Sequence, residues 1–340
     1  GSVSENHRVA VIGAGAWGTA LGMLLAEKDE LTVTMWSFEA DVADSINEFH
    51  QNRYLPGIDL PDALRAETDL SRTLEGASVV LSASPAQVVR EVMTEAAPNV
   101  PADALVLSAS KGIENGTLLR MDEVLGQILP EQSMDRFCAL SGPGFAKEVA
   151  SHAPTAVVIA GRTAEAANEA QDIFQTRYFR IYTSTDIVGV ELGGALKNVV
   201  ALAAGIVSGL GYGHNTIAAV ITRGLAEITR LGVAMGSDRA TFSGLAGMGD
   251  LLLTCTGDLS RNRTVGYRLG QGESLQEILS DMKAVAEGVK TTESVYELAK
   301  NRGVEMPIVE QVYRVLNNAV NPEDALKMLM LREPTSEEWQ

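Results

Sequence analysis

The sequence has 340 residues, and its 27 Lys and Arg against 44 Asp and Glu give a formal net charge of −17 at pH 7. At roughly 150 residues per domain, this length predicts two domains. A hydrophobic fraction of 46% excludes an intrinsically disordered chain. The acidic balance argues against nucleic acid or an anionic membrane as a partner, because the field of the protein repels phosphate groups.

The number of cysteines and the length of the apolar runs indicate the cellular compartment of the protein. Cys138 and Cys255 are too few for a disulfide framework, which favours a reducing environment. No uninterrupted apolar stretch reaches the roughly 18 residues that a membrane span requires. We therefore expect a cytoplasmic protein without integral membrane association.

Short apolar runs alternate with helical stretches in the first half of the chain. Continuous apolar runs are typical of strands in a parallel sheet that is covered on both faces. The predicted strands are 8–12, 31–36, 78–82, 104–108, 137–140, 155–160 and 179–182. The predicted helices between them are 19–28, 40–50, 86–97, 117–129 and 164–176. This alternation predicts right-handed βαβ units, and hence an α/β, Rossmann-like, doubly wound sheet in an N-terminal domain of residues 1–185.

The pattern changes near residue 186, beyond which strand alternation disappears. Small residues crowd the stretch 188–210, as expected for a buried core helix that neighbouring helices approach closely. Further helices are predicted at 215–231, 275–281, 290–301 and 308–317, the last with Pro307 at its start. Residues 186–340 are therefore predicted to form an all-α C-terminal domain; that this domain binds the substrate is implied only by the family resemblance of its motifs.

A glycine-rich turn follows the first predicted strand and opens the first predicted helix. Gly13 permits a tight turn, Gly15 lets the backbone approach a pyrophosphate, and Gly18 allows close packing of helix on strand. The pyrophosphate would then lie on the free N–H groups of the helix N-terminus. The turn predicts a dinucleotide site.

The end of the second predicted strand bears on which dinucleotide is used. NAD-preferring folds place Asp or Glu there for the ribose 2′-hydroxyl. Here Trp36 and Ser37 stand at that point, and Glu39 lies farther along. Without the carboxylate a 2′-phosphate is not repelled, and Arg53 is the nearest arginine that could reach it. We predict use of both NADP and NAD, with a preference for NADPH.

Two lysines are candidates for acid–base chemistry. Lys197 and Asn198 interrupt an apolar, small-residue helix, where a lysine is costly to desolvate unless it faces a cleft or a partner. Lys111 follows a predicted strand, and ligands bind at the carboxyl ends of strands in open α/β sheets. The motifs HExxH and CxxC are absent from the sequence, so no metal site is predicted.

Two further clusters in the C-terminal half carry polar groups. Residues 244–251 are glycine-dense and include Asp250. Residues 254–263 combine hydroxyls, an amide and two guanidiniums, a set that fits a phosphate geometrically. Ser260 could instead cap a helix, and both roles are compatible because a capped helix N-terminus is itself an anion site.

In their order along the chain, these motifs are similar to those of the bacterial NAD(P)-dependent sn-glycerol-3-phosphate dehydrogenases. The resemblance extends from about residue 8 to residue 328. It depends on the segments 13–20, 52–57, 108–114, 141–150, 191–206, 215–228, 244–263 and 286–292.

The resemblance implies reversible reduction of dihydroxyacetone phosphate to sn-glycerol 3-phosphate, a precursor of glycerophospholipids. It implies that Lys197 is the general acid/base. The implied substrate-binding residues are Lys111, Gly142, Gly144, Lys197, Asn198, Asp250, Thr254, Ser260, Arg261 and Asn262. The cofactor-binding residues, those of the glycine turn included, are Gly13, Gly15, Ala16, Trp17, Gly18, Ser37, Tyr54, Lys111, Ala146, Arg261, Val285 and Glu287.

Three positions depart from the family pattern, and two alternatives stay open. Gly144 lacks the hydroxyl of the usual Ser or Thr, His214 replaces an Asp, and Ala16 replaces a common Ser. The alternatives are a β-hydroxyacid dehydrogenase acting on a small carboxylate, and a non-catalytic NADPH-binding sensor. The sequence is also compatible with a homodimer and does not define its regulation.

Overall fold

The computed structural model describes residues 6–282, 286–332 and 335–337, and the chain folds as two compact units. Unit 1 comprises the residues up to 111 together with 121–187. Unit 2 comprises residues 112–120 together with those from 188 onward. The chain thus contributes a short segment to unit 2 well before the helical half begins.

Unit 1 is built on one eight-stranded sheet of order β3-β2-β1-β4-β5-β6-β7-β8. The strands are β1 (His7–Ile12), β2 (Leu31–Trp36), β3 (Arg65–Glu67), β4 (Val79–Ser82), β5 (Leu105–Ser108), β6 (Cys138–Ser141), β7 (Thr155–Gly161) and β8 (Phe179–Ser184). The seven predicted strands are confirmed to within two residues at each end. Only β3 was missed, because three residues are too few to show a pattern.

The helices of unit 1 fill the connections between the strands. They are α1 (Ala16–Ala26), α2 (Ala40–Phe49), α3 (Leu70–Leu74), α4 (Val89–Ala96), α5 (Met121–Ile128), α6 (Glu131–Met134), α7 (Ala146–Ala150) and α8 (Ala164–Phe174). The predicted helix 117–129 begins only at Met121. Its first residues belong to a turn in which Leu118 has φ +60° and Ile113 bridges Arg120. The Rossmann-like fold class is confirmed.

One pair of neighbouring strands departs from the parallel arrangement of the other pairs in the sheet. β6 and β7 are antiparallel, with Leu140 opposite Ile159 and Ser141 opposite Val158. Their connection contains only the five-residue helix α7, which is too short to carry the chain back along the sheet. β1, β2, β4, β5 and β6 run parallel, so their carboxyl ends share one edge.

Unit 2 is helical, as predicted. Its helices are α9 (Ile187–Gly209), α10 (His214–Ala234), α11 (Asp250–Thr256), α12 (Arg261–Gly270), α13 (Leu275–Asp281), α14 (Glu287–Arg302), α15 (Pro307–Leu316) and α16 (Pro322–Met330). A π-helical turn, Leu245–Gly249, leads into α11. The sequence did not predict α11 or α16, and of α12 it predicted only that Ser260 could cap a helix.

Helix α9 is the centre of unit 2, and its glycines explain the small-residue pattern. A Cβ at Gly205 would lie 2.1 Å from the carbonyl oxygen of Arg263, and a Cβ at Gly266 would lie 2.1 Å from that of Leu202. The backbones of α9 and α12 are therefore in direct contact, a distance that only glycine permits. This contact holds the start of α12 near the middle of α9.

Among the described residues, α9 alone is long and apolar enough to cross a membrane by length and composition. Its most apolar window has a mean hydropathy of 1.5, and 94% of that window is buried inside the protein. Buried Glu191 and Lys197 lie on this helix. The burial agrees with the core helix that the sequence predicts for this stretch.

Candidate functional site

The turn between β1 and α1 excludes side chains at two of its glycines. Gly13 has φ +134°, and a Cβ there would lie 2.8 Å from the backbone of Ala83. A Cβ at Gly18 would lie 2.5 Å from the carbonyl oxygen of Gly13. Both contacts are with backbone, which cannot give way as a flexible side chain would, so the turn keeps this shape only with glycine at both positions.

Gly15 has a different environment in the same turn. It is the N-cap residue of α1, it makes no side-chain capping bond, and no atom lies within 4 Å of the position a Cβ would take. The first N–H groups of a helix lack partners within the helix and carry its positive dipole end. The turn therefore fits a pyrophosphate group, whose oxygens would approach over Gly15 and Ala16.

Trp17 adds an aromatic wall beside this turn. Its indole Nε1 is buried and has no hydrogen-bond partner among the described residues. The Nζ atom of Lys111 lies 5.6 Å from the centre of the ring. A Cβ at Gly144 would lie 3.0 Å from Cη2 of Trp17, so the glycine that departs from the family pattern makes room for the indole.

Lys111 and Gly142 follow neighbouring strands at the carboxyl edge of the sheet. Lys111 Nζ donates to the carbonyl oxygen of Gly142 at 3.2 Å. Gly142 has φ +147°, and a Cβ there would lie 2.8 Å from Cα of Val157. Ala146 begins α7 a few residues later. The structure therefore brings Lys111, Gly142 and Gly144 together with Trp17 within unit 1.

The segment after β2 contains the other predicted cofactor residues of unit 1. Ser37 is buried, and its hydroxyl donates to the carbonyl oxygen of Glu39 at 2.9 Å. Tyr54 donates its phenolic hydrogen to the Glu39 carboxylate. Arg53 pairs with Glu39 and with Asp41. The hydroxyl of Ser37 is thus already engaged, and the charged groups at this point are those of Glu39, Asp41 and Arg53.

Asn52 is a residue that the sequence did not single out. Its side chain is buried and donates from Nδ2 to the carbonyl oxygen of Ala14 and to Oγ1 of Thr19, both at 2.9 Å. The Tyr54 N–H donates to Oδ1 of Asn52 at 2.9 Å. The motif 52–57 is the sequence feature that could have identified Asn52, because this residue fixes the segment to the glycine turn.

In unit 2, Lys197 forms a buried ion pair. Its Nζ atom lies 2.5 Å from Oδ1 of Asp250, and the two residues are only 7% and 1% exposed. Thr254 donates its hydroxyl to the Asp250 carbonyl oxygen at 2.7 Å. Burial raises the pKa of the neighbouring Cys255 thiol to about 12, which makes it a poor nucleophile. Lys197 and Asp250, and not Cys255, are therefore the candidate reactive groups at this point of unit 2.

A second hydrogen-bonded chain lies beside the first. Asn262 donates from Nδ2 to Oδ1 of Asn198 at 3.0 Å, and its own Oδ1 accepts from the Gly288 N–H at 2.9 Å. Ser260 is the N-cap of α12 and accepts from the Arg263 N–H at 3.2 Å, as the helix-capping interpretation predicts. Arg261 is the exposed first residue of that helix.

The remaining candidates are placed as follows. Glu287 is the half-buried first residue of α14. Val285 lies outside the described residues. Within the described part of the chain, no three His, Cys, Asp or Glu side chains form a group that could hold a metal ion.

A glycine turn at the carboxyl edge of a doubly wound sheet makes unit 1 a dinucleotide-binding fold of the Rossmann type. Family models of the NAD-dependent glycerol-3-phosphate dehydrogenase N-terminus and C-terminus match residues 8–167 and 186–327. The chain belongs to this family.

Named relatives agree with the family models. The chain is 54% identical, over 97% of its length and 99% of the relative's, to a glycerol-3-phosphate dehydrogenase [NAD(P)+] of Geobacter sp. (strain M21). It is 49% identical, over 96% of its length and 98% of the relative's, to the protein of that name from Leptospira biflexa. The crystal structure of a glycerol-3-phosphate dehydrogenase from Coxiella burnetii matches with a TM-score of 0.92 and 38% identity, over 97% of this chain and 100% of that one.

Proposed function

We propose that this protein catalyses the NAD(P)H-dependent, reversible reduction of dihydroxyacetone phosphate to sn-glycerol 3-phosphate and so supplies glycerophospholipid synthesis. The observation that carries the proposal is the buried pair of Lys197 and Asp250 beside the Asn198–Asn262 hydrogen bond. The chain belongs to the glycerol-3-phosphate dehydrogenase family, and this ion pair and this hydrogen bond supply polar groups for proton transfer to a phosphorylated ketone.

The residues of unit 1 fit a nicotinamide dinucleotide, which supplies a hydride to the C2 carbonyl when it is bound. Gly13 and Gly18 shape the turn, and Gly15 leaves it open to the pyrophosphate. Further cofactor contacts are proposed for Ala16, Trp17, Ser37, Tyr54, Lys111, Ala146, Arg261, Val285 and Glu287. We propose that both NADH and NADPH are accepted.

Lys197 is proposed to give its proton to the C2 oxygen of the substrate and to recover it in the reverse direction. An ammonium group stabilises the negative charge that develops on that oxygen, and this effect is large in a site shielded from water. Asp250 holds Nζ in place, and Thr254 packs its hydroxyl against the same carboxylate residue. The lysine is therefore positioned before substrate arrives.

The start of α12 is proposed to hold the substrate phosphate. Ser260, Arg261 and Asn262 stand at the positive end of that ten-residue helix. Because the phosphate is remote from the reacting carbon, its binding energy orients the substrate rather than changing the chemistry. Lys111, Gly142, Gly144 and Asn198 are the other proposed substrate contacts.

The proposal also includes the compartment, the partners and the oligomeric state of the enzyme. Cys138 and Cys255 are buried and free, which is compatible with a reducing cytoplasm. We propose a small phosphorylated substrate as the partner, without nucleic acid or integral membrane association. A homodimer is proposed as the assembly, which sedimentation of the purified protein would test.

The deciding experiment replaces Lys197 with alanine. The reduction of dihydroxyacetone phosphate should fall by about 10³-fold or more, since a positioned general acid contributes about 10²–10⁴-fold. Binding of NADPH should persist, because the glycine turn belongs to unit 1. Lys327→Ala, an exposed lysine on α16, serves as the control for loss of a positive charge.

Each alternative has its own outcome in these assays. Near-normal turnover by Lys197→Ala would refute the role of the lysine. Faster reduction of a 3-keto acid than of dihydroxyacetone phosphate would favour a β-hydroxyacid dehydrogenase. Tight NADPH binding without turnover of any phosphorylated ketone by the unaltered protein would favour a sensor.

A further inference from the structure

The cluster of charged side chains after β2 is joined to the glycine turn by hydrogen bonds. Asn52 binds the Ala14 carbonyl oxygen, and the next residue in the chain is Arg53. Arg53 pairs in turn with Glu39, the N-cap residue of α2, and with Asp41 in its first turn. Arg53 therefore joins the segment that is bound to the glycine turn to the start of α2, which lies a few residues after the end of β2.

This is the part of a Rossmann fold at which the 2′ position of the adenosine ribose is read. A carboxylate there accepts a hydrogen bond from the 2′-hydroxyl of NADH, whereas an arginine accommodates the 2′-phosphate of NADPH. The present chain places both kinds of group at one point and pairs them. Glu39 and Asp41 together outweigh the single charge of Arg53, so the local balance is negative.

We propose that Glu39, Asp41 and Arg53 form the element that selects between the two cofactors, and that it favours NADH. The proposal rests on the proposed function, because it concerns the dinucleotide site of the same enzyme. Glu39 accepts from the ribose hydroxyl of NADH while its bond from Tyr54 holds the carboxylate in place. NADPH requires Arg53 to leave both carboxylates and turn to the 2′-phosphate.

The exposure of the three side chains limits the size of the preference. Arg53, Glu39 and Asp41 are 48%, 37% and 69% exposed. An ion pair at such positions shifts an equilibrium by at most about fivefold. Releasing Arg53 from two partners therefore weakens the binding of NADPH by at most about thirtyfold. Both cofactors are used, and NADH is preferred. This order is opposite to the NADPH preference that the residues at the end of β2 favour on sequence alone.

The test measures dissociation constants of NADH and NADPH by quenching of tryptophan fluorescence, in addition to kcat/KM with each cofactor. In Glu39→Gln/Asp41→Asn, Arg53 has no anionic partner in this element and is available to the 2′-phosphate. The ratio of NADH to NADPH affinity should fall by at least about tenfold. Adding Arg53→Ala to that variant should remove most of the gain in NADPH affinity.

Asp44→Asn is the matched control, since Asp44 is an exposed carboxylate on the same helix α2. It raises the net charge by one unit, against two in the double variant, and should leave the ratio within about twofold. The proposal is overturned if the unaltered protein binds NADPH more tightly than NADH, or if the gain in NADPH affinity persists without Arg53. Because affinities are measured directly, these outcomes are separate from a failure to reduce dihydroxyacetone phosphate.

Discussion

Gly15 and Gly18 lie three residues apart in one turn, but a side chain would meet different surroundings at each. Gly15 has φ −75°, which alanine adopts readily, and its Cβ position has no atom within 4 Å. Gly15→Ala should therefore fold with a melting temperature within about 1 °C of the parent, a shift of less than about 1 kcal/mol. Its methyl group occupies the approach of the pyrophosphate, so KM for NADH should rise by about tenfold or more.

Gly18→Ala is the contrasting variant for the same assays. Its Cβ would lie 2.5 Å from the carbonyl oxygen of Gly13, so either the turn or the helix has to move. We expect a lower melting temperature together with weaker cofactor binding. If Gly15→Ala kept its KM for NADH, the pyrophosphate would not approach over Gly15. An equal loss of stability in the two variants would contradict the open space at the Gly15 Cβ position.

The pair of Lys197 and Asp250 predicts a coupling in stability as well as in catalysis. Lys197→Met removes the ammonium group from the Asp250 carboxylate, which is 1% exposed, and breaking a buried ion pair by removing one partner costs about 3–5 kcal/mol. Adding Asp250→Asn removes that charge and should recover at least about half of the loss. Urea unfolding of the two single variants and the double variant measures the coupling, and additive losses would contradict it.

At the scale of elements, helix α15 has an unusual N-terminus. Its N-cap residue, Met306, makes no side-chain capping bond, and Pro307 has no N–H to satisfy. Glu227 of α10 supplies the cap, since its carboxylate accepts from the Ile308 N–H at 2.9 Å and from the Val309 N–H at 3.3 Å. Two helices distant in sequence are thus joined by one buried acid.

Burial raises the pKa of Glu227 to about 7, although bonds from the Ile308 and Val309 N–H groups and the charges of Arg230 and Arg223 oppose the rise. In the unfolded chain this carboxyl titrates near 4.5, so between pH 4.5 and 7 the folded state binds more protons. Its contribution to the free energy of unfolding is present below pH 4.5 and is lost as the pH rises through 7. The loss amounts to about 3 kcal/mol.

Glu227→Gln should remove this dependence, because the amide stays neutral and still offers an oxygen to α15. Relative to the parent, its free energy of unfolding should increase between pH 5 and pH 8. Urea unfolding at four pH values measures the slope, with Glu310→Gln, an exposed acid on α15, as the control. Parallel curves for Glu227→Gln and the parent would show that Glu227 does not titrate in this range.

Local patterns predicted elements but not their pairing. The strand β2 was predicted with its observed bounds, and so was α13, because an apolar run and a serine cap define them locally. The direction of β7 was not predicted, since an apolar strand has the same pattern whichever way it runs. Likewise Lys197 was recognisable as an odd residue in an apolar helix, but its partner Asp250 lies 53 residues away in sequence.

The residues after β2 also show what local sequence patterns do not predict. The sequence identified Ser37 and Arg53 as candidates for the ribose end of the cofactor. It placed Glu39 too far along the chain to act there, whereas the fold of α2 turns that residue back toward Arg53 and Tyr54. Ion pairs of this kind depend on side-chain direction at a helix start, which spacing alone does not encode.

At the scale of the whole molecule, the net charge of −17 sets how an anionic substrate is approached. Most of the excess carboxylates are solvated, and their field is screened beyond about 8 Å at physiological salt. On the proposed function, capture depends on local groups, such as Arg261 and the N-terminus of α12 in unit 2. The long-range field opposes approach of a phosphate, whereas the local groups favour binding.

These two effects predict a weak response to salt. Raising the ionic strength from about 0.02 to 0.15 M shortens the Debye length from roughly 20 to 8 Å, which weakens the distant repulsion more than the local attraction. We expect kcat/KM for dihydroxyacetone phosphate to change by less than about threefold, whereas electrostatically steered association falls steeply with salt. NaCl and KCl should act alike, and sulfate is avoided because it competes for a phosphate site. A fall of more than about tenfold would mean that a long-range positive field guides the substrate despite the acidic surface.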